Sequence, residues 1–237
     1  MTPVKLGPGV RAAFTSRAGG ASSGRYESLN LGLSVGDEEA AVRANRDSLP
    51  GSLADPPARV TWMRQVHGAS VARVPDTAVP EADAQFTDVP RLALGVLVAD
   101  CAPVLVADPD AGLVGAAHAG RPGLALGVVP ALISAMTKAG ADPARMRAVI
   151  GPSVCGRCYE VPAELRDEVA AAAPGSACVT RKGTPGIDIR AGLRHQLARA
   201  GVGEVADDER CTVESPELYS YRRDGLTGRF AGLVWLL

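Results

Sequence analysis

A chain of 237 residues, 46% hydrophobic and 22% charged, is long enough for one large domain and too apolar to be disordered. Its net charge of -1, without a basic stripe, gives no reason to expect a nucleic-acid partner. Five cysteines, an odd number, behind an N-terminus that lacks an apolar export signal argue against a disulfide framework, and no uncharged run is long enough to span a membrane, so a soluble, cytoplasmic protein is expected.

In chain order, Val10–Ser16 reads as a strand, residues 17–24 as a Gly-rich loop and residues 28–37 as another extended piece. Glu38–Leu49 has helical spacing and carries Arg43 and Arg46 about one turn apart. Residues alternate over Val60–His67, which predicts a strand with Gln65 and His67 on one face. Val71–Val74 is its expected hairpin partner across Gly68-Ala69, and Pro75–Asp83 a polar loop.

The centre of the chain is the stretch 92–123. Pro103–Asp108 and Leu113–His118 read as two strands joined by the turn DPDAG. At about 3.3 Å per residue out and back, His118 returns to the level of Cys101. Pro122 then suits the first turn of a helix, but Pro130 predicts a kink or two shorter helices. Beyond this, Arg147–Ile150 should be a strand, Pro162–Ala173 a helix, Ile187–Ile189 a strand, Ala191–Ala200 a helix with Leu193 and Leu197 inward, and Arg229–Leu236 the final strand. Hairpins beside strand–helix–strand units, with no repeat or linker, predict a single compact α/β domain with mixed sheets over residues 1–237.

Only three histidines occur, and two of them, His67 and His118, end predicted strands. With Cys101 they form a Cys-His-His set of the kind that binds zinc and leaves a fourth position open. The competing expectation is two buried imidazoles satisfied by main chain and a small core cysteine. His195, mid-helix among polar residues, reads as a surface residue. The pair Cys155 and Cys158 is a weak redox or metal half-site by itself.

Several ordered motifs go further: TSRAGGASSG and SLNLGLSVGD, Ala44-Asn45-Arg46, Gln65-Val66-His67-Gly68, Ala99-Asp100-Cys101 before Pro103, Ala116–Gly120 around His118, Gly151-Pro152 with Cys158-Tyr159-Glu160-Val161, and Ser220–Gly225 with Thr227-Gly228-Arg229. In these the chain resembles the YfiH family, also called laccase-domain, polyphenol oxidase or peptidoglycan editing proteins. The resemblance covers most of the chain. It implies an α/β sandwich with mixed sheets, likened to cysteine hydrolases of a bacterial-toxin type. It also implies a metal triad at His67, Cys101 and His118, holding one zinc per chain. Copper could compete at such a set in vitro.

The implied activity is zinc-dependent purine nucleoside chemistry: phosphorolysis of adenosine, inosine, guanosine and methylthioadenosine, and deamination of adenosine. The expected partners are a purine nucleoside and phosphate; oligomeric state is not legible. Cys101 and His118 are expected to be catalytic as well as ligands, with Arg46 on phosphate. Arg46, Arg17, Asn30 and Tyr159 are expected to bind substrate, Cys158 to share a wall with Tyr159, and Gln65 and Asp100 to orient the imidazoles or the water. Arg222 and Arg223 read equally as basic groups of the site or as surface ion pairs. Two departures stand out. Arg121-Pro122 replaces the Trp-Arg that usually follows the second metal histidine, which removes an aromatic and predicts weaker phosphorolysis, and Arg157 replaces a cysteine found in many members.

Three other readings remain. Cys101 and His118 could form a metal-free cysteine hydrolase acting on peptidoglycan precursors. A zinc-stabilised binding module needs no catalysis, though three ligands leave a position open. A copper-dependent phenol oxidase needs more histidines than three.

Overall fold

The computed structural model describes residues 1–74 and 79–237. Two sheets lie face to face. The first has the order Thr2–Val4, Val10–Phe14, Phe230–Leu236, Leu92–Val98, Arg59–Thr61. The second runs Glu204–Asp207, Arg147–Ile150, Ala102–Asp108, Leu113–Ala119, Ala84–Thr87, Val71–Arg73, and parallel pairs occur in both.

Burial on both faces explains the sequence of the central strands. Every residue of Ala102–Asp108 and of Leu113–Ala119 is buried, so these strands read as continuous apolar runs. Leu105 and Val114 face Phe14, Leu94 and Phe230 across the two sheets. Val104 and Val106 face Leu132, Met136 and Leu193 of the helices on the outer side. A third apolar layer, Leu31 and Leu49 on Leu233 and Trp235, covers the other side of the first sheet. These layers make an α/β sandwich with mixed sheets.

The central hairpin has the expected register, with Pro103 opposite His118. The segment after it is two helices, Arg121–Leu126 and Val128–Lys138. The break falls at Gly127, which has φ 76°, while Pro130 sits in the first turn of the second helix, where no intrahelical N–H bond is lost.

Four expectations need correction. Residues 28–37 form no strand: the buried Asn30 side chain takes their place in the hydrogen bonding, binding Gly32, Asp37 and the Arg229 amide. Within Val60–His67 only Arg59–Thr61 is a strand, because Gln65 bonds the Leu97 main chain through its side chain and His67 turns to φ 60°. Val71–Arg73 is therefore no hairpin partner; it lies in the second sheet, parallel to Ala84–Thr87. Finally, Pro185–Ile187 is the short strand and Ile189 already begins a helix, capped by the Asp188 side chain on the Ala191 amide. Of the predicted loop 75–83, residues 75–78 lie outside the described residues.

Candidate metal centre

The open end of the central hairpin carries Cys101, while His118 lies in the last turn of the returning strand, 3% exposed. His67 arrives at the crossing between the sheets, in a left-handed conformation that costs a non-glycine residue about 1 kcal/mol. Asp83, fully buried, holds that turn. Its carboxylate accepts the amides of Val66, His67 and Gly68 at 3.1, 3.0 and 2.7 Å. The same carboxylate takes His118 Nδ1 at 2.8 Å, which leaves the other ring nitrogen free.

Cys101 Sγ lies 3.8 Å from His67 Nε2, and the three donor atoms all lie within 4.8 Å of one another. Thiolate and imidazole ligands of tetrahedral zinc stand roughly 3.5 Å apart, given bond lengths of about 2.3 and 2.0 Å. The set fits a zinc ion after a small contraction, and one ligand already carries the carboxylate partner such sites use. Burial opposes ionisation of Cys101, yet His118 and then His67 outweigh it and bring the thiol down to about 6. Burial likewise opposes charging His118, but Cys101 and Asp83 raise it to about 9.

The triad borders a cavity of about 800 Å³. Among the described residues five arginines line it, Arg46, Arg64, Arg121, Arg222 and Arg229, against a single carboxylate, Asp100. Aromatic rings fix two of them: Arg46 lies 4.6 Å over Trp62, with its Nε on the Leu31 carbonyl, and Arg222 lies 4.9 Å over Tyr159. Burial and Arg43 lower Arg46 to about 10, which keeps it charged at neutral pH. Arg64 pairs with Glu81.

The comparisons with known proteins agree in breadth. A family model described as "multi-copper polyphenol oxidoreductase laccase" matches residues 11–237. A protein of Streptomyces coelicolor named purine nucleoside phosphorylase is 56% identical over 232 residues, 96% of each chain. The chain belongs to the YfiH family. A purine nucleoside phosphorylase of Mycobacterium tuberculosis is 50% identical, over 96% of this chain and 92% of that one. Among solved structures, YlmD of Geobacillus stearothermophilus has a TM-score of 0.89 at 34% identity, covering 97% of this chain and 92% of that one. For YfiH of Bacillus licheniformis the values are 0.87 and 31%, over 96% and 93%.

Against that family background, His67, Cys101, His118, Arg46 and Tyr159 come together as expected, and Gln65 and Asp100 also line the cavity. Gln65 and Asp100, however, do not grip an imidazole. Asp100 instead accepts Thr212 Oγ1 at 2.6 Å, Ser220 Oγ at 2.7 Å and the Arg222 amide at 2.6 Å, which ties the C-terminal loop beside Cys101. Arg17 and Asn30 are not among the lining residues; Arg17 bonds the Glu27 carbonyl and stacks on Tyr219. Cys158 faces away into a second cysteine cluster, and Arg223 holds the carbonyls of Thr212, Ser215 and Leu218. His195 is half-buried rather than on the surface. Sequence reasoning missed Asp83, Trp62 and Arg229. Arg121 was singled out as a departure, yet it still reaches the cavity, beside Tyr159.

Proposed function

We propose that this chain is a zinc-dependent purine nucleoside enzyme that cleaves adenosine, inosine, guanosine and methylthioadenosine with phosphate and deaminates adenosine. Its relatives carry the name purine nucleoside phosphorylase. The observation that carries the reading is the triad bordering a cavity lined, among the described residues, by five arginines and one carboxylate, in a protein of net charge -1.

In phosphorolysis a phosphate oxygen bonds C1′ of the ribose as the glycosidic C–N bond breaks, and the purine leaves carrying a proton. The chain's part in this is placement. Arg46 and Arg222, held by their aromatic partners, offer fixed guanidinium forks to the phosphate dianion. Val154, Ile189 and Tyr159 give an apolar wall for the purine. In deamination water adds at C6 and ammonia departs, and Asp83, bonded to His118 Nδ1, fixes that ring so that its other nitrogen serves as the metal ligand at the cavity wall. His67, Cys101 and His118 would hold the zinc, which when bound supplies Lewis-acid activation at the cavity wall.

A phenol oxidase of the multi-copper kind finds too few histidines here, three in the whole chain. A cysteine hydrolase has one specific observation in its favour, the chain Cys101, His118, Asp83 with its lowered thiol. The deciding measurement is metal content beside nucleoside turnover, with and without phosphate, for wild type, Cys101→Ala and His67→Ala. Zinc and phosphate-dependent adenine release that both disappear in both variants support the proposal. Turnover of an amide or ester that survives His67→Ala, without nucleoside turnover, moves the hydrolase to the front.

A further inference from the structure

Four of the five cysteines gather away from the cavity, around the loop that follows Ile150. Three of them, Cys155, Cys158 and Cys211, have sulfurs that lie with a Glu214 carboxylate oxygen all within 4.8 Å of one another. We propose that Cys155, Cys158, Cys211 and Glu214 are the ligands of a second, structural zinc ion.

The local backbone is built for such ligands. Each half of the set has the same x-x spacing, Cys155 to Cys158 and Cys211 to Glu214, on a tight turn. The amides of Cys158 and Tyr159 bond the Cys155 carbonyl at 2.9 and 3.0 Å, and those of Glu214 and Ser215 bond the Cys211 carbonyl at 3.0 and 2.9 Å. A bridge between Ser153 and Cys211 joins the two turns, and the Cys155 amide donates to Cys211 Sγ at 3.4 Å. An N–H aimed at sulfur favours the thiolate, the form that binds metal. Cys178 stands close by, but its Sγ is turned to the Gly156 carbonyl and is not one of the four.

The donor set chooses the ion. Three soft sulfurs and one carboxylate give four anionic ligands, which suits tetrahedral zinc and leaves no open position, the mark of a structural rather than a catalytic site. The set already draws a cation: the Arg181 guanidinium touches Cys158 and meets Glu214 at 2.6 Å. Arg181 and Glu214 are exposed, so that contact is free to rearrange around an ion, while Cys211 is 4% exposed and anchors the set. An ion there would clamp the turn leading to Tyr159 and the one that sends Thr212 to Asp100, two walls of the nucleoside cavity.

The test uses the full chain as Cys101→Ala, which removes the first metal site, prepared with zinc under reducing conditions. It should retain about one zinc per chain. With zinc bound, Cys155, Cys158 and Cys211 should be protected from an aromatic disulfide reagent, with Cys178 reacting slowly and equally in both states; a chelator should expose the three ligand thiols and lower the melting temperature. Adding Cys158→Ser should abolish the zinc, and if that variant does not fold, the chelator-dependent thiol count on Cys101→Ala still decides. A folded Cys101→Ala protein that takes up no zinc and shows the same thiol reactivity with and without chelator overturns the proposal. So does an intact mass about 2 Da low under reducing conditions mild enough to spare a buried bridge, which would mean that two of these sulfurs form a disulfide.

Discussion

Asp83 holds His118 twice. Its carbonyl accepts the His118 amide at 2.7 Å and its carboxylate pairs with Nδ1 at 2.8 Å, so backbone and ring are fixed by one residue. The second face of that carboxylate closes the turn of His67. Burial opposes its charge, but His118 and the amides of Gly68 and Val66 hold it below the usual carboxylate range. Asp83→Asn keeps the shape but removes the charge and places an NH₂ against amide donors. Zinc affinity, measured by competition with a chelator, should fall about 10- to 100-fold with the fold retained. Unchanged affinity would mean that Asp83 only braces the turn.

In metal-stripped protein Cys101 should be the reactive thiol. With its pKa down to about 6 it is mostly thiolate at pH 7, whereas burial holds Cys178 up at about 11. Alkylation followed by peptide mass should mark Cys101 first, with a rate that rises through pH 6 and then levels. In His118→Ala the midpoint should move upward, because the nearest cation favouring the thiolate is gone. Zinc should protect the residue. A midpoint that ignores His118→Ala would show that the thiol is not paired with that imidazole.

How far the sequence revealed this site depends on how local the signal was. Cys101 and His118 belong to one hairpin, and counting residues out and back places them together. The two central strands were legible because burial on both faces leaves an uninterrupted apolar run. His67 was legible as a candidate, but its strand was not real. Alternation over Val60–His67 mimics a ladder, and nothing local shows that Gln65 completes the sheet through its side chain or that the chain changes sheets at His67. Asp83 had no signal at all, sitting in what reads as a polar loop, since its partners lie 35 residues away at His118 and across a crossover at Val66–Gly68. The cysteine cluster was half visible: Cys155 and Cys158 are close in sequence, but Cys211 and Glu214 arrive from a distant loop.

Gly120 leaves the space that the triad occupies. A Cβ there would stand 2.9 Å from Cys101 Sγ and 2.9 Å from His67 Cδ2. Its backbone is ordinary, φ -79°, so the cost of a side chain is crowding alone. Gly120→Ala should push two ligands apart and cut zinc occupancy sharply, while the melting temperature of the metal-free protein changes little. Full occupancy in the variant would show that the ligands have room to move.

Asp108 should set part of the acid limb of stability. The side chain is fully buried at the turn of the central hairpin and accepts the amides of Asp110, Ala111 and Asp142 at 3.1, 3.2 and 2.8 Å. Burial opposes its charge, but these amides and Arg145 lower its pKa below the ordinary value. A carboxyl lowered on folding adds stability above its unfolded pKa of about 4, and that contribution is lost as pH falls through the folded value. Asp108→Asn should cost about 1–3 kcal/mol at pH 7, and the gap in melting temperature should close towards the acid end. A constant gap across pH would assign the loss to shape rather than charge.

Arg46 offers the sharpest separation of binding from chemistry in the proposed reaction. Its guanidinium lies on Trp62 and is tied to the Leu31 carbonyl through Nε, so the remaining N–H groups are held towards the cavity. A lysine cannot reproduce a stacked fork. Losing a charge-assisted hydrogen bond worth about 1.5–3 kcal/mol should lower kcat/KM for phosphate about 10- to 100-fold in Arg46→Gln. Deamination uses water in place of phosphate and should change far less, and zinc content should not change. Phosphorolysis and deamination falling by the same factor would mean that Arg46 acts on the nucleoside or on the cavity wall rather than on the anion.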